Sequence, residues 1–111
     1  MQIETERQGA VTVLTPRGPV VAEDADALRG QGSRAIAESM GRMIINASAV
    51  VYVDSRGIEA LLDLADELAD AGRVLKLCGC NETVREVLEI TETSAMFEHF
   101  EDVPSAVRSF L

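Results

Sequence analysis

Val53-Asp54-Ser55-Arg56-Gly57-Ile58-Glu59-Ala60-Leu61-Leu62-Asp63-Leu64-Ala65-Asp66-Glu67-Leu68-Ala69-Asp70-Ala71-Gly72 is the stretch from which the fold is read. Ile58, Leu61, Leu62, Ala65, Leu68 and Ala69 recur at helical spacing, and Glu59, Asp63, Asp66 and Asp70 fall opposite. Gly72 stands where a helix stops, because glycine takes the left-handed cap without a steric penalty. On either side lies a short apolar run. Met43-Ile44-Ile45-Asn46 reads as a strand buried on both faces, with Val50 to Val53 extending or following it, and Val74 to Cys78 reads as another strand. Strand, helix, strand is the crossover unit of an α/β protein.

Working outward, Ile3 to Gln8 and Ala10 to Thr15 form two strands turning at Gly9. Val11 and Val13 alternate there with Thr12, the period of a half-buried strand. Pro16, Gly18 and Pro19 are expected to end this hairpin, since proline cannot donate to a ladder. Ala22 to about Met40 reads as a helix with Ala25, Leu28, Ala35 and Ile36 near one face, weakened in its middle by Gly30 and Gly32. Beyond Cys78, Thr83 to about Glu92 is a third helix and Met96 to Phe100 a last strand. Asp102 with Pro104 opens a final helix whose apolar side is Val107, Phe110 and Leu111. The expected order is β-β-α-β-α-β-α-β-α in one domain over 1–111. It implies a mixed sheet of four to five strands covered by about four helices.

Composition narrows the function. The 111 residues are 47% hydrophobic and 26% charged, which is globular usage. Nineteen acidic against ten basic residues give a net charge of −9, which repels nucleic acid and anionic membranes. With no Trp, one Tyr and three Phe, a base-stacking platform has little to be built from. The first residues carry acids where a signal peptide needs bases, and the longest apolar region is too short to span a bilayer. A cytoplasmic protein without membrane insertion is expected.

Catalytic constellations are thin. The single histidine, His99, has no nucleophile–base pair beside it in sequence. Cys78 and Cys80 fall at a strand end, where residues two apart share a face; they would bind metal only with further ligands. No glycine-rich phosphate loop is present. No enzyme, cofactor or metal site is therefore expected. The junction at Asp54-Ser55-Arg56-Gly57 differs, because it places Asp54 or Ser55 at a helix N-terminus. Either side chain caps free amides there, and a phosphate on Ser55 would face those amides and the positive end of the helix dipole. A docking surface of Asp54, Ser55, Arg56 and Gly57 with Ala60, Leu64 and Glu67 along the helix edge is expected, Leu64 being a partly exposed residue that either belongs to this surface or merely flanks the core.

The hairpin, the Arg17-Gly18-Pro19-Val20-Val21 turn, the Ile44-Ile45-Asn46 strand, the Val53–Ile58 junction and Gly72-Arg73-Val74-Leu75-Lys76-Leu77-Cys78 follow in the order of STAS domains. The chain resembles that family over essentially its whole length, and within it the bacterial anti-sigma factor antagonists. The resemblance implies partner switching: the unmodified protein binds an anti-sigma factor that is also a serine kinase, freeing a sigma factor. Phosphorylation at Ser55 ends that binding, and a serine phosphatase resets it. The family commonly has a small Ser or Thr where this chain has Arg56, and often an acidic residue where it has Val20-Val21. Small STAS proteins also serve as accessory subunits gripping the ATPase of ABC-type lipid transporters, which is the alternative the resemblance offers.

Overall fold

A computed structural model describes all of residues 1–111. β1 (Gln2–Gln8) and β2 (Val11–Arg17) pair antiparallel, from Gln2 opposite Arg17 to Gln8 opposite Val11. β2 pairs parallel with β3 (Met43–Asn46), β3 with β4 (Leu75–Cys78) and β4 with β5 (Phe97–Phe100). The five strands therefore lie side by side in chain order. α1 (Glu23–Ser39), α2 (Ser55–Asp70) and α3 (Glu82–Ile90) make the three parallel crossovers. Each steps the same way across the sheet, so the right-handed rule puts all three on one face. α4 (Val103–Arg108), entered after β5, covers the other face against β3, β4 and β5.

Two cores follow. The larger holds Leu14, Ile45, Leu75 and Leu77 against α1, α2 and α3; the smaller holds Val11, Val13, Ile44, Cys78 and Ala106 under α4. Met43, Ile44 and Ile45 are consecutive and all at most 1% exposed, as expected of a central strand covered on both sides. The mixed five-stranded sheet with four helices matches the α/β order read from the sequence.

Two local readings change. β2 runs on through Pro16, which lies opposite Ile3. β3 partners only Thr12 to Leu14, so beyond Leu14 one edge of β2 has no ladder to interrupt. The buried face of α2 is Gly57, Ile58, Ala60, Leu61, Leu64, Ala65 and Leu68, with Ala69 exposed and Leu62 half-buried. The stripe is rotated because α2 packs against α1 as well as the sheet. α1 itself is continuous through Gly30 and Gly32. Gly32 has a use: a Cβ there would fall 2.7 Å from a Leu64 methyl, so its bareness lets Leu64 seat fully.

Parallel strands and antiparallel helices give the domain two ends. At one lie the C-terminal ends of β2 to β5 and the N-termini of all four helices. Ser55 is at that end.

Candidate functional site

The loop after β2 and the loop after β3 run together for several residues. Gly18 N–H donates to Ala49 O at 2.9 Å and Val20 N–H to Tyr52 O at 2.9 Å, while Asp54 N–H donates to Val20 O at 3.3 Å. Val20 and Val53 form a parallel bridge and are both buried. The apolar run Val50 to Val53, expected to extend or follow the β3 strand, is thus used, but as a continuation of β2–β3 pairing rather than as strand proper. Gly57, in the first turn of α2, approaches this ribbon so closely that a Cβ would stand 2.3 Å from Val20 O. Its φ is not left-handed; glycine is needed here for proximity.

Asp54 organises the junction. One carboxylate oxygen, Oδ1, accepts from Gly57 N–H at 2.9 Å and caps α2. The other, Oδ2, accepts from Ala22 N–H at 3.2 Å, at the entrance to α1. Ala22 has φ 49° and ψ −127° and no side-chain cap of its own. A non-glycine residue in that region is strained and persists only where its surroundings hold it, and the Asp54 carboxylate is one of those holds. The amides, Gly57 N–H first, keep the Asp54 carboxyl below its ordinary 3.8 against the opposing effect of desolvation.

Ser55 is the first helical residue, exposed, and its Oγ makes no hydrogen bond within the chain. Of the two candidates for the cap, Asp54 takes the role and leaves the hydroxyl free. Arg56 reaches across to α1, where Nη2 donates to Asp26 Oδ2 at 2.8 Å. With side chains 51% and 60% exposed, that pair holds little energy. Arg29 and Asp63 approach at 3.9 Å further along. An open groove of about 270 Å³ between α1 and α2 is lined by Asp26, Arg29, Arg56, Glu59, Ala60 and Asp63.

The expected docking residues therefore separate. Ser55, Arg56 and Glu67 are exposed and Asp54 is half-buried. Gly57 is buried against Val20, Ala60 is 3% exposed and Leu64 0%. Leu64, expected to be partly exposed, fills the α1–α2 contact instead and has no free surface for a partner, and Ala60 shows only a trace of surface at the floor of the groove. Glu67 accepts from Ser33 Oγ at 2.7 Å, joining α2 to α1. Sequence reading missed Asp26 and Arg29, which only the packing of α1 beside α2 brings to the site. It also missed Val51 and Tyr52, exposed at 58% and 46% beside Asp54.

The thiols do not share a face. Cys78 belongs to the core under α4 and Cys80 to the core under α1–α3, because Gly79, with φ 69°, turns the chain between them. Burial pushes the Cys78 thiol up to about 11 and raises Cys80 as well. His99 is exposed, with Nε2 2.9 Å from Ser94 O and 3.3 Å from Ser94 Oγ. No three His, Cys, Asp or Glu side chains are grouped to hold a metal ion. No helix is long and apolar enough to cross a membrane.

A sheet of this order, with three crossover helices on one face and α4 on the other, defines a fold class, and comparison with known proteins gives it a name. Residues 2–106 match the model of the STAS domain, and the chain belongs to that family. Its fold is similar to that of a Thermotoga maritima protein assigned as an anti-sigma factor antagonist, at 17% identity and a TM-score of 0.88 over 96% of this chain and 92% of that one. An anti-sigma factor antagonist from Mycobacterium paratuberculosis is similar at 19% identity and a TM-score of 0.84, over 97% and 92% of the two chains. The Bacillus anti-sigma factor antagonist SpoIIAA is similar in its unphosphorylated form, at 18% identity and 0.72 over 98% and 96%. Its phosphorylated form gives 18% and 0.73 over 99% and 100%. These likenesses are of fold. A sequence search of curated proteins returned no match.

Proposed function

We propose that this chain is an anti-sigma factor antagonist that works by partner switching, with Ser55 as the phosphorylated residue. Unmodified, it binds an anti-sigma factor serine kinase and so releases a sigma factor; phosphorylated, it lets go, and a serine phosphatase restores it. In this reading the chain is substrate and ligand, needs no cofactor, and works in the cytoplasm with its kinase. The observation that carries it is the free, exposed Oγ of Ser55 beside a cap already supplied by Asp54. Phosphoryl transfer from a nucleoside triphosphate forms the Oγ–P bond, breaks the bond to the β-phosphate's bridging oxygen and releases the diphosphate with the hydroxyl proton.

The energetics favour a switch. A phosphate adds about −1.5 to −2 charge where α1 already carries Glu23, Asp24 and Asp26 in its first turn. The helix dipole and open amides of α2 let the fold accept it. Burying it in an interface without a cation costs at least the few kcal/mol of a broken interfacial charge contact, on the order of 10² in affinity. The test is intact-mass analysis after incubation with ATP and the anti-sigma kinase encoded nearest the chain's gene, followed by site mapping. One added phosphate at Ser55 is expected, with Ser55→Ala unmodified yet still binding and Ser55→Asp binding weakly. Equal binding by wild type, Ser55→Ala and Ser55→Asp would overturn the proposal.

A further inference from the structure

Beside the serine, the paired loops leave an apolar patch uncovered. Val51 and Tyr52 are 58% and 46% exposed, and Pro19, exposed on the neighbouring loop, is brought beside Tyr52 by the Val20–Val53 bridge. Tyr52 is the only tyrosine in the chain. The patch sits at the end where the helix N-termini gather, and three of the four carry acids: Glu23, Asp24 and Asp26 open α1, Glu82 opens α3 and Asp102 caps α4, while the first turn of α2 has none and holds Arg56, already paired with Asp26. An apolar centre within a charged rim is the anatomy of a specific protein interface, and a rigid tyrosine is among its usual anchors.

Charge decides the occupant. Two copies meeting here would set one acidic rim against another, and an anionic membrane or nucleic acid would be repelled in the same way. We infer that Pro19, Val51 and Tyr52 form the anchor of the docking surface, received by an apolar hollow with a basic rim on a protein partner. This deepens the partner-switching reading and rests on it only for the identity of that partner. It also accounts for the reach of the switch: a phosphate on Ser55, three residues from Tyr52, would have to be desolvated at the edge of the same contact.

The test measures binding of wild type, Tyr52→Ala and Val51→Ser to the purified anti-sigma kinase encoded nearest the gene. Ile90→Ser serves as control, being 76% exposed at the opposite end of the domain. Tyr52→Ala is expected to weaken binding about 30-fold and Val51→Ser several-fold, while Ile90→Ser binds as wild type. Association should slow as salt rises. A kinase that binds Tyr52→Ala and Val51→Ser as tightly as wild type overturns the inference and leaves the functional reading standing. If the kinase ignores the wild type, the same variants are measured on the ATPase subunit of a lipid transporter. Tyr52-dependent binding there upholds the inference and overturns partner switching, and binding to neither protein overturns both.

Discussion

Replacing Gly57 with alanine and replacing Gly30 with alanine are the same chemical change, yet they are expected to move stability in opposite directions. At Gly30 a Cβ meets nothing within 4 Å, and the residue is exposed inside α1. Alanine there gains about 0.5–1 kcal/mol through helix propensity. At Gly57 the new methyl would stand 2.3 Å from Val20 O, roughly 1 Å inside the about 3.3–3.6 Å of ordinary carbon–oxygen contacts. The obstacle is backbone, and it is held: Val20 donates to Tyr52 O while accepting from Asp54 N–H. Overpacking costs about 1–3 kcal/mol, here at the upper end. Displacing Val20 O also loses a hydrogen bond of about 1 kcal/mol, which offsets the propensity gain. The expected net loss is about 3 kcal/mol. At about 4 °C per kcal/mol for a domain of this size, Gly57→Ala should melt about 12 °C below wild type and Gly30→Ala a few degrees above it. Thermal and urea unfolding followed by circular dichroism measure both. A Gly57→Ala protein within about 0.5 kcal/mol of wild type, the ordinary scatter of surface substitutions, would refute the close approach of α2 to the β2–α1 loop.

Leu64→Ala removes a side chain that is 0% exposed and should destabilise by about 2–5 kcal/mol in urea unfolding. The Asp54 carboxyl is held below 3.8, so its contribution is present above that pH and lost as pH falls through the lowered value. Stability measured from about pH 5 to pH 2 should decline, and less steeply in Asp54→Asn. Burial raises Cys78 from 9.0 to about 11, so the folded protein should resist a thiol reagent at neutral pH and label fully in denaturant. For the same reason Cys78 lowers stability as pH rises from 9.0 toward 11, because only the unfolded thiol ionises in that window. Cys78→Ala should flatten that alkaline limb.

The sheet and its crossovers were legible because their signals are local. An apolar triplet at Met43–Ile45, one strong helical stripe and glycine at the helix end leave few arrangements once connections must be short and right-handed. What escaped reading depended on two elements meeting. Leu64 lies off the stripe counted from Ile58, and only the packing of α1, opened by Gly32, draws it inside. Gly32 looked like a weak point when α1 was considered alone. Pro16 is tolerated because β3 is shorter than β2, a fact about the partner strand that no property of Pro16 announces. Asp26 and Arg29 reached the site for the same reason, through tertiary pairing with Arg56 and Asp63. The residues around Ser55 were found because a cap, a small hydroxyl and a bare glycine occur together within four positions.

Under the partner-switching reading, a modified residue that also held the helix end would couple modification to the stability of the fold. The structure divides the work. Asp54 takes both structural contacts, one oxygen to Gly57 N–H in α2 and one to Ala22 N–H at α1, and Gly57 lets α2 come close enough for Val20 to join them. Ser55 holds nothing together, so a change at its Oγ leaves each of those bonds in place. Protonating or amidating Asp54 would act the other way, loosening Ala22 and the start of α2 at once, with Ser55 chemically untouched. The two residues are neighbours with separable consequences. Ser55→Ala should leave unfolding within about 0.5 kcal/mol of wild type. Asp54→Ala should lower stability and loosen the loop that carries Pro19 next to Tyr52. Amide exchange at Ala22 and Gly57 reads this directly: protection lost in Asp54→Ala and kept in Ser55→Ala is the expected pattern. Equal loss in both would mean that the hydroxyl shares the structural role after all.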